Sequence, residues 1–208
     1  FIDFDYNDKS VFKDFSIYNQ PKLLIQRIRN LSLKRRIIAT YDESNYLCTN
    51  TLRIGILKDS KFDLKYILAI INSKLINYLF LKFFLNKDIY AYQLAKIPIK
   101  NVTKEIQSNL SEKTDFILNQ KINFTLKKDK FLSRLIENLE VNNITKKIES
   151  FYESDFKNFI SELNKQKINL SLIQQDEWSD YFKKYSEEIL ELLSNIHKTE
   201  SEIDQIVY

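Results

Sequence analysis

Lys22, Arg27, Arg29, Lys34, Arg35 and Arg36 crowd into the span 22–36, with no aspartate or glutamate between Asp14 and Asp42. Four of the six are arginine, whose planar guanidinium can grip phosphate oxygens or guanine O6 and N7 with two hydrogen bonds, where an ammonium acts as a point charge. The chemistry open to such a group is recognition of a polyanion. Charge is distributed unevenly over the whole chain as well. Residues 1–100 hold 17 basic and 9 acidic side chains and residues 101–208 hold 15 and 19, so the halves stand at +8 and −4 and sum to +4. A field of one sign steers partners of the other, and Lys/Arg contacts to phosphates release counterions. An uneven solvated surface produces the same totals, so charge alone leaves both readings open.

Several other chemistries are excluded by what is missing. Gly55 is the only glycine, and GxGxxG, Walker and FxGxG loops all need backbone without Cβ. Pro21 and Pro98 stand far apart, so there is no NPPY to grip a flipped adenine, and neither opens a PD…(D/E)xK nuclease signature. Cys48 and His197, the only residues of their types, cannot furnish an ordinary zinc site, and a lone cysteine suits a reducing cytoplasm. His197, within NIHKTESE, reads as a solvent-exposed residue near a helix end rather than a catalytic base. Asp42 and Glu43 open DESN, a run of turn formers, and read as hairpin residues rather than a catalytic carboxylate pair.

The elements that must position the cations begin as three extended segments, KLLIQRIR, KRRIIATYD and YLCTNTLRIGILK. In the third, Leu52, Ile54 and Ile56 alternate with Thr51, Arg53 and Gly55. That predicts one buried face and one that offers Thr49, Thr51 and Arg53. By the same alternation the six cations cannot all share a face, and some serve to cover sheet edges. After KDSKFD the period lengthens: Leu64, Ile67, Leu68, Ile71, Leu75 and Leu79 recur at three and four, with Asp63 placed as N-cap. This helix is apolar enough to raise a membrane span, but Asn72, Ser73, Lys74, Asn77 and Lys82 would each be costly in lipid, and a buried helix is the better reading.

NKDIYAYQLAKIPIK returns to loop and strand, and Pro98, Asn101 and Thr103 mark a boundary. Leu110, Ile117, Phe124 and Phe131 then fall at sevens, which predicts a long amphipathic helix over about 104–140 packed against its own domain. VNNIT, residues 141–145, breaks it. Residues 146–163, 171–197 and 200–208 read as further helices, the last opened by a Thr199–Glu202 capping box, with Trp178, Tyr181 and Phe182 as core anchors. The expected fold class is α+β: a small mixed α/β domain over 1–100, then a mainly helical region over 101–208.

PKLLIQRI, IIATYDESNYLCTNTLRIGILKD, LKYILAIINSKLINYLF and AKIPIK, in that order, resemble the specificity domain C-terminal to the catalytic domain of TaqI-like adenine-N6 DNA methyltransferases and type IIG restriction-modification enzymes. The long helix, LSLIQQDEWSDYFKKYSEEILELL and EIDQIVY are similar to the C-terminal part of the larger members. The resemblance implies a target-recognition domain without catalysis of its own. S-adenosylmethionine and methyl transfer to adenine N6 would belong to an N-terminal domain of the parent, with no cofactor or metal in this part. A FIDFDYNDKS opening, the absence of methionine and an end at Tyr208 fit such a fragment.

The implied partners are double-stranded DNA and that methyltransferase domain, in the cytoplasm and without a membrane. Arg27, Arg29, Lys34, Arg35 and Arg36 are the first candidates for the DNA face, followed by Asn50, Thr51 and Arg53. Tyr90, Tyr92 and Gln93, in the connection after the apolar helix, are candidates too, with ordinary packing as their other reading. Two alternatives stay open. One is half of a type I restriction specificity subunit, against which EIDQIVY argues; the other is a helical protein–protein interaction module built on residues 104–208.

Overall fold

A computed structural model describes residues 15–58 and 61–208; the FIDFDYNDKS opening lies outside the described residues. The chain forms two compact units, one taking in the residues up to Asp115 together with Ser201–Tyr208, the other Phe116–Glu200. In the first, β1 (Lys22–Gln26), β2 (Ala39–Asp42) and β3 (Leu52–Gly55) make an antiparallel sheet in the order β2-β1-β3. Because β2 and β3 flank β1 rather than each other, DESN does not close a hairpin: residues 43–51 carry the chain from one edge of the sheet to the other. Asp42 anchors the start of that crossing. Its buried carboxylate meets Lys22 Nζ at 2.5 Å and accepts the N–H of Ser44 (2.9 Å) and Tyr46 (3.1 Å).

Pairing decides which face each residue of β3 occupies. Leu23 and Ile25, buried on the central strand, stand opposite Gly55 and Arg53, while Leu24 and Gln26 stand opposite Ile54 and Leu52. The expectation for β3 is therefore reversed. Arg53 lies on the buried side with Ile25, and Leu52 lies on the open side, where Leu24, Gln26, Ile28, Ile38, Thr40 and Thr51 help line a groove of about 490 Å³. All four residues of β3 are half-buried, so alternation alone carries no sign of which face is inside.

The long apolar helix is two helices. Asp63 Oδ1 caps α1 (Leu64–Asn72) by accepting the N–H of Lys65 (2.7 Å) and Tyr66 (3.2 Å). At Ser73 the direction bends by 57° into α2 (Lys74–Phe83). The Ser73 hydroxyl causes the break: it donates to Ile70 O at 2.7 Å, ending α1, and accepts the N–H of Ile76 at 3.3 Å, starting α2. Asp204 from EIDQIVY accepts the Lys74 N–H at 2.8 Å, a carboxylate where the helix dipole favours one. No single helix among the described residues is long and apolar enough to cross a membrane, although α1 and α2 together meet that length and composition as a bent pair.

Two asparagines beside the break hold the strand. The Asn72 amide accepts the Ala39 N–H at 3.0 Å and donates to the Ala39 carbonyl at 2.9 Å, closing the outer edge of β2 much as another strand would. Asn77 Oδ1 accepts the N–H of both Arg36 and Ile37 at 2.7 Å. The IINSKLIN run thus fixes the path by which the basic segment enters the sheet. Further on, a single turn, α3 (Ala91–Leu94), replaces the strand expected after α2, whose extended character survives as an isolated bridge between Ile28 and Asp88.

The second unit is built on α4 (Lys104–Leu139) and α7 (Leu172–Val207), the long helices that the boundary between units divides. Within it Phe131 is fully buried, with Phe151 stacked on its ring at 3.7 Å and Trp178, Tyr181 and Phe182 around it. Residues 146–163 are not one helix. α5 (Lys146–Glu149) gives way to a 3-10 turn at Phe151–Glu153 that carries Phe151 to Phe131, and α6 (Phe156–Lys165) restarts from an Asp155 cap. α7 runs unbroken through Thr199, whose hydroxyl donates back to Asn195 O at 2.9 Å. The capping-box pattern there is spent inside a helix that continues to Val207.

Candidate nucleic-acid interface

Three segments meet at Arg27. Its N–H donates to Thr51 O at 3.0 Å and its carbonyl accepts the Ile89 N–H at 2.7 Å, so strand end, 49–53 turn and 86–90 loop are tied to one peptide. Its guanidinium donates from Nη1 to Asn50 O at 3.2 Å and lies, through Nε, 3.2 Å from Asp88 Oδ1. That approach to Asp88 is ionic rather than a directed hydrogen bond. Arg27 is 27% exposed and Asp88 30%, so both can meet a ligand from solvent. Arg53 donates from Nε to Ile89 O at 3.3 Å and joins the same junction from the far edge. Asn50 and Thr51 are exposed beside it.

Arg29 and Arg36 cross at the base of the next loop. Arg29 Nε donates to Arg35 O at 2.9 Å and its Nη1 to Gln26 Oε1 at 2.8 Å. Arg36 donates from Nη1 to Arg29 O at 3.2 Å and from Nη2 to Asn86 O. Arg36 is wholly buried, which corrects its placement on the DNA face: its two Nη groups are spent on carbonyls that hold the loop, while its Nε is buried without a hydrogen-bond acceptor. Burial lowers its pKa, the charge of Arg29 adds to that effect, and Asp88 opposes it. Lys22, counted in the basic run, is also wholly buried, donating to Tyr18 O at 2.9 Å and paired with Asp42. Lys34 is exposed and Arg35 half-buried.

The third group is divided too. Gln93 is 1% exposed, and its Oε1 accepts the Tyr90 N–H at 2.9 Å, so it shapes the loop and presents nothing to a ligand. Tyr92 is 57% exposed, stacks on Tyr90 at 5.7 Å, and has Lys96 Nζ 5.9 Å from its ring. The residues sequence reasoning missed are those that hold the others: Asn72, Asn77, Asp88 and the carbonyls of Asn86 and Lys87, the last accepting the Arg29 N–H at 3.1 Å. A signal existed for the asparagines, because an amide inside an apolar helix needs buried partners. None existed for the carbonyls.

Electrostatically the distinction is between a satisfied donor and a cancelled charge. A carbonyl satisfies a guanidinium N–H yet leaves the full positive charge in place, whereas a carboxylate removes it. The bonds described for Arg29, Arg36 and Arg53 end on neutral oxygens, so these groups contribute to the field outside the sheet even where no ligand can touch them.

A small antiparallel sheet whose loops are fastened by arginines, followed by helices, makes the fold one of the α+β class. Residues 1–99 match the TaqI-like C-terminal specificity domain, a DNA sequence-specificity domain of restriction-modification enzymes. Residues 103–207, just over half of the chain, match the family described as Domain of unknown function (DUF8810), and the chain belongs to that family. Searches of curated proteins and of solved structures returned no match.

Proposed function

We propose that this chain is the sequence-reading portion of a site-specific adenine-N6 DNA methyltransferase or type IIG restriction-modification enzyme, and that it acts in the cytoplasm on double-stranded DNA. The single observation that carries the proposal is the specificity-domain match over residues 1–99. It is supported by the convergence on Arg27 of the 27–36, 49–53 and 86–93 segments, which the sheet draws together from distant parts of the sequence. Methyl transfer, and the S-adenosylmethionine it uses, would reside in a catalytic domain of the parent; this chain would position the duplex for it. Phosphate contacts from Arg27, Lys34 and Arg35 would set register, and the exposed Asn50, Thr51 and Tyr92 would meet base edges.

A salt titration of duplex binding tests this. The 208-residue chain should bind a duplex at low salt with log K falling linearly in log salt, by about 0.9 per phosphate contacted. No binding at low salt, or binding indifferent to salt, overturns the proposal. A second reading attaches to the helical unit, where Leu172 and Ile173 are 80% and 74% exposed at the start of α7. Self-association abolished by I173S, in a chain indifferent to DNA, would favour a protein-interaction module instead.

A further inference from the structure

The loop between Arg29 and Arg36 is closed at its base by a reciprocal lock. Arg29 reaches across to Arg35 O at 2.9 Å, Arg36 reaches back to Arg29 O at 3.2 Å, and both strands of the stem are fastened outside it, to Lys87 O, Asn86 O and Asn77 Oδ1. The tip is ordered by Asn30, whose side-chain Oδ1 accepts the Ser32 N–H and whose carbonyl accepts the Leu33 N–H, both at 3.2 Å. A stem and tip so bonded project a fixed set of side chains: Leu31 (37% exposed), Leu33 (43% exposed) and Lys34. Both leucines keep more than a third of their surface open to solvent at the end of a locked loop, and neither belongs to the buried core. The loop lies in a stretch without any acid between Asp14 and Asp42, which favours a polyanion as the occupant of this tip over an acidic or neutral protein.

We infer that the 30–34 tip is a preformed reader of duplex DNA, with Leu31 and Leu33 making apolar contact in a groove while Lys34 fixes the adjoining phosphate. This rests on the DNA-recognition reading and adds the element that discriminates. Apolar side chains distinguish bases through the thymine methyl group or by wedging at flexible steps, and both need a rigid support because a floppy loop loses the gain to ordering. The lock supplies that support, and arginine suits the position of Arg36, the most buried cation of the loop: its planar fork spans two carbonyls on different segments.

The test is selection of duplexes from a pool with a randomised centre, using the 208-residue chain. The chain should enrich a sequence motif, and L31S/L33S should lose preference at one or two adjacent positions by about tenfold, as for one discriminating base contact. Its affinity for a fixed unrelated duplex should stay within about twofold, because the phosphate contacts that carry that affinity are untouched. L172S/I173S, at exposed positions of the other unit, should enrich the wild-type motif. An unchanged motif from L31S/L33S overturns the inference and leaves the DNA reading standing. Failure of the unmutated chain to bind any duplex at low salt removes the DNA reading and the inference with it.

Discussion

Cations are treated differently in the two units of this molecule. In the sheet-bearing unit Arg29, Arg36 and Arg53 donate to neutral oxygens, while Lys22 and Arg27 add a carboxylate, Asp42 and Asp88, to a backbone carbonyl. In the helical unit Lys127, Lys128, Arg134, Lys147 and Lys165 meet glutamates. Carboxylates three or four residues away, or on a facing helix, are available wherever acids and bases alternate; a stretch that has no acid from 15 to 41 must take them from outside it, as Lys22 and Arg27 do. Donation to a neutral oxygen, as by Arg29, Arg36 and Arg53, ties loops together and keeps the positive charge, whereas pairing with a carboxylate cancels it. A surface meant for a polyanion needs the first.

Three substitutions would break or sharpen that contrast. The largest effect is expected from R36M, which leaves the Arg29 and Asn86 carbonyls without their donor inside the protein. Urea unfolding should show a loss of about 3 kcal/mol, near the cost of breaking a buried charged hydrogen-bond set. If the variant is as stable as the parent, the carbonyl-bound arginines are ornaments of the surface and the contrast fails. D88N acts at a half-buried position beside Arg27, and Asp88 makes none of the hydrogen bonds of the Arg29–Arg36 lock. Removing its negative charge beside Arg27 should tighten duplex binding about two- to fivefold at low salt, with the gain fading as salt rises. Weaker binding would mean that Asp88 positions Arg27 rather than competing for it. The smallest effect belongs to K127Q. Its pair with Glu188 at 2.5 Å is more than a third exposed on both sides, so stability should fall by less than about 1 kcal/mol and duplex affinity should not move.

The aromatic interior of the helical unit offers a second contrast. Phe131, Phe151, Phe159 and Phe182 pack within a single cluster, and its formation depends on the 3-10 turn that interrupts residues 146–163. Hydrophobic periodicity had no means of showing that turn, since Ile148, Phe151, Phe159 and Leu163 also suit a continuous helix. Hydroxyl bonds accompany the break, Ser150 donating to Lys146 O at 3.0 Å and Ser154 to Phe151 O at 3.2 Å, and Asp155 caps the restart by accepting the Asn158 N–H. Ser73 divides α1 from α2 in the same manner. At Thr199 the same kind of hydroxyl bond leaves the helix intact, so a serine or threonine in an apolar pattern does not by itself announce a break.

The amino-acid sequence alone determined the existence of the three strands, the amphipathic stretch that became α4, the Asp63 cap and the acid-free basic run, because each is written in periodicity, capping chemistry or composition. It also carried the likeness to a specificity domain in ordered words such as IINSKL. Tertiary structure decided which cations remain at the surface. Strand register placed Arg53 beside Ile25 and Leu52 on the open face, and two asparagines on either side of Ser73, Asn72 closing the edge of β2 and Asn77 holding Arg36, settled where the basic loop stands. Whether an arginine touches a ligand or a carbonyl depends on which backbone oxygen lies within its reach, and that is a property of chain segments fifty residues apart, as with Arg36 and Asn86, rather than of neighbours in sequence.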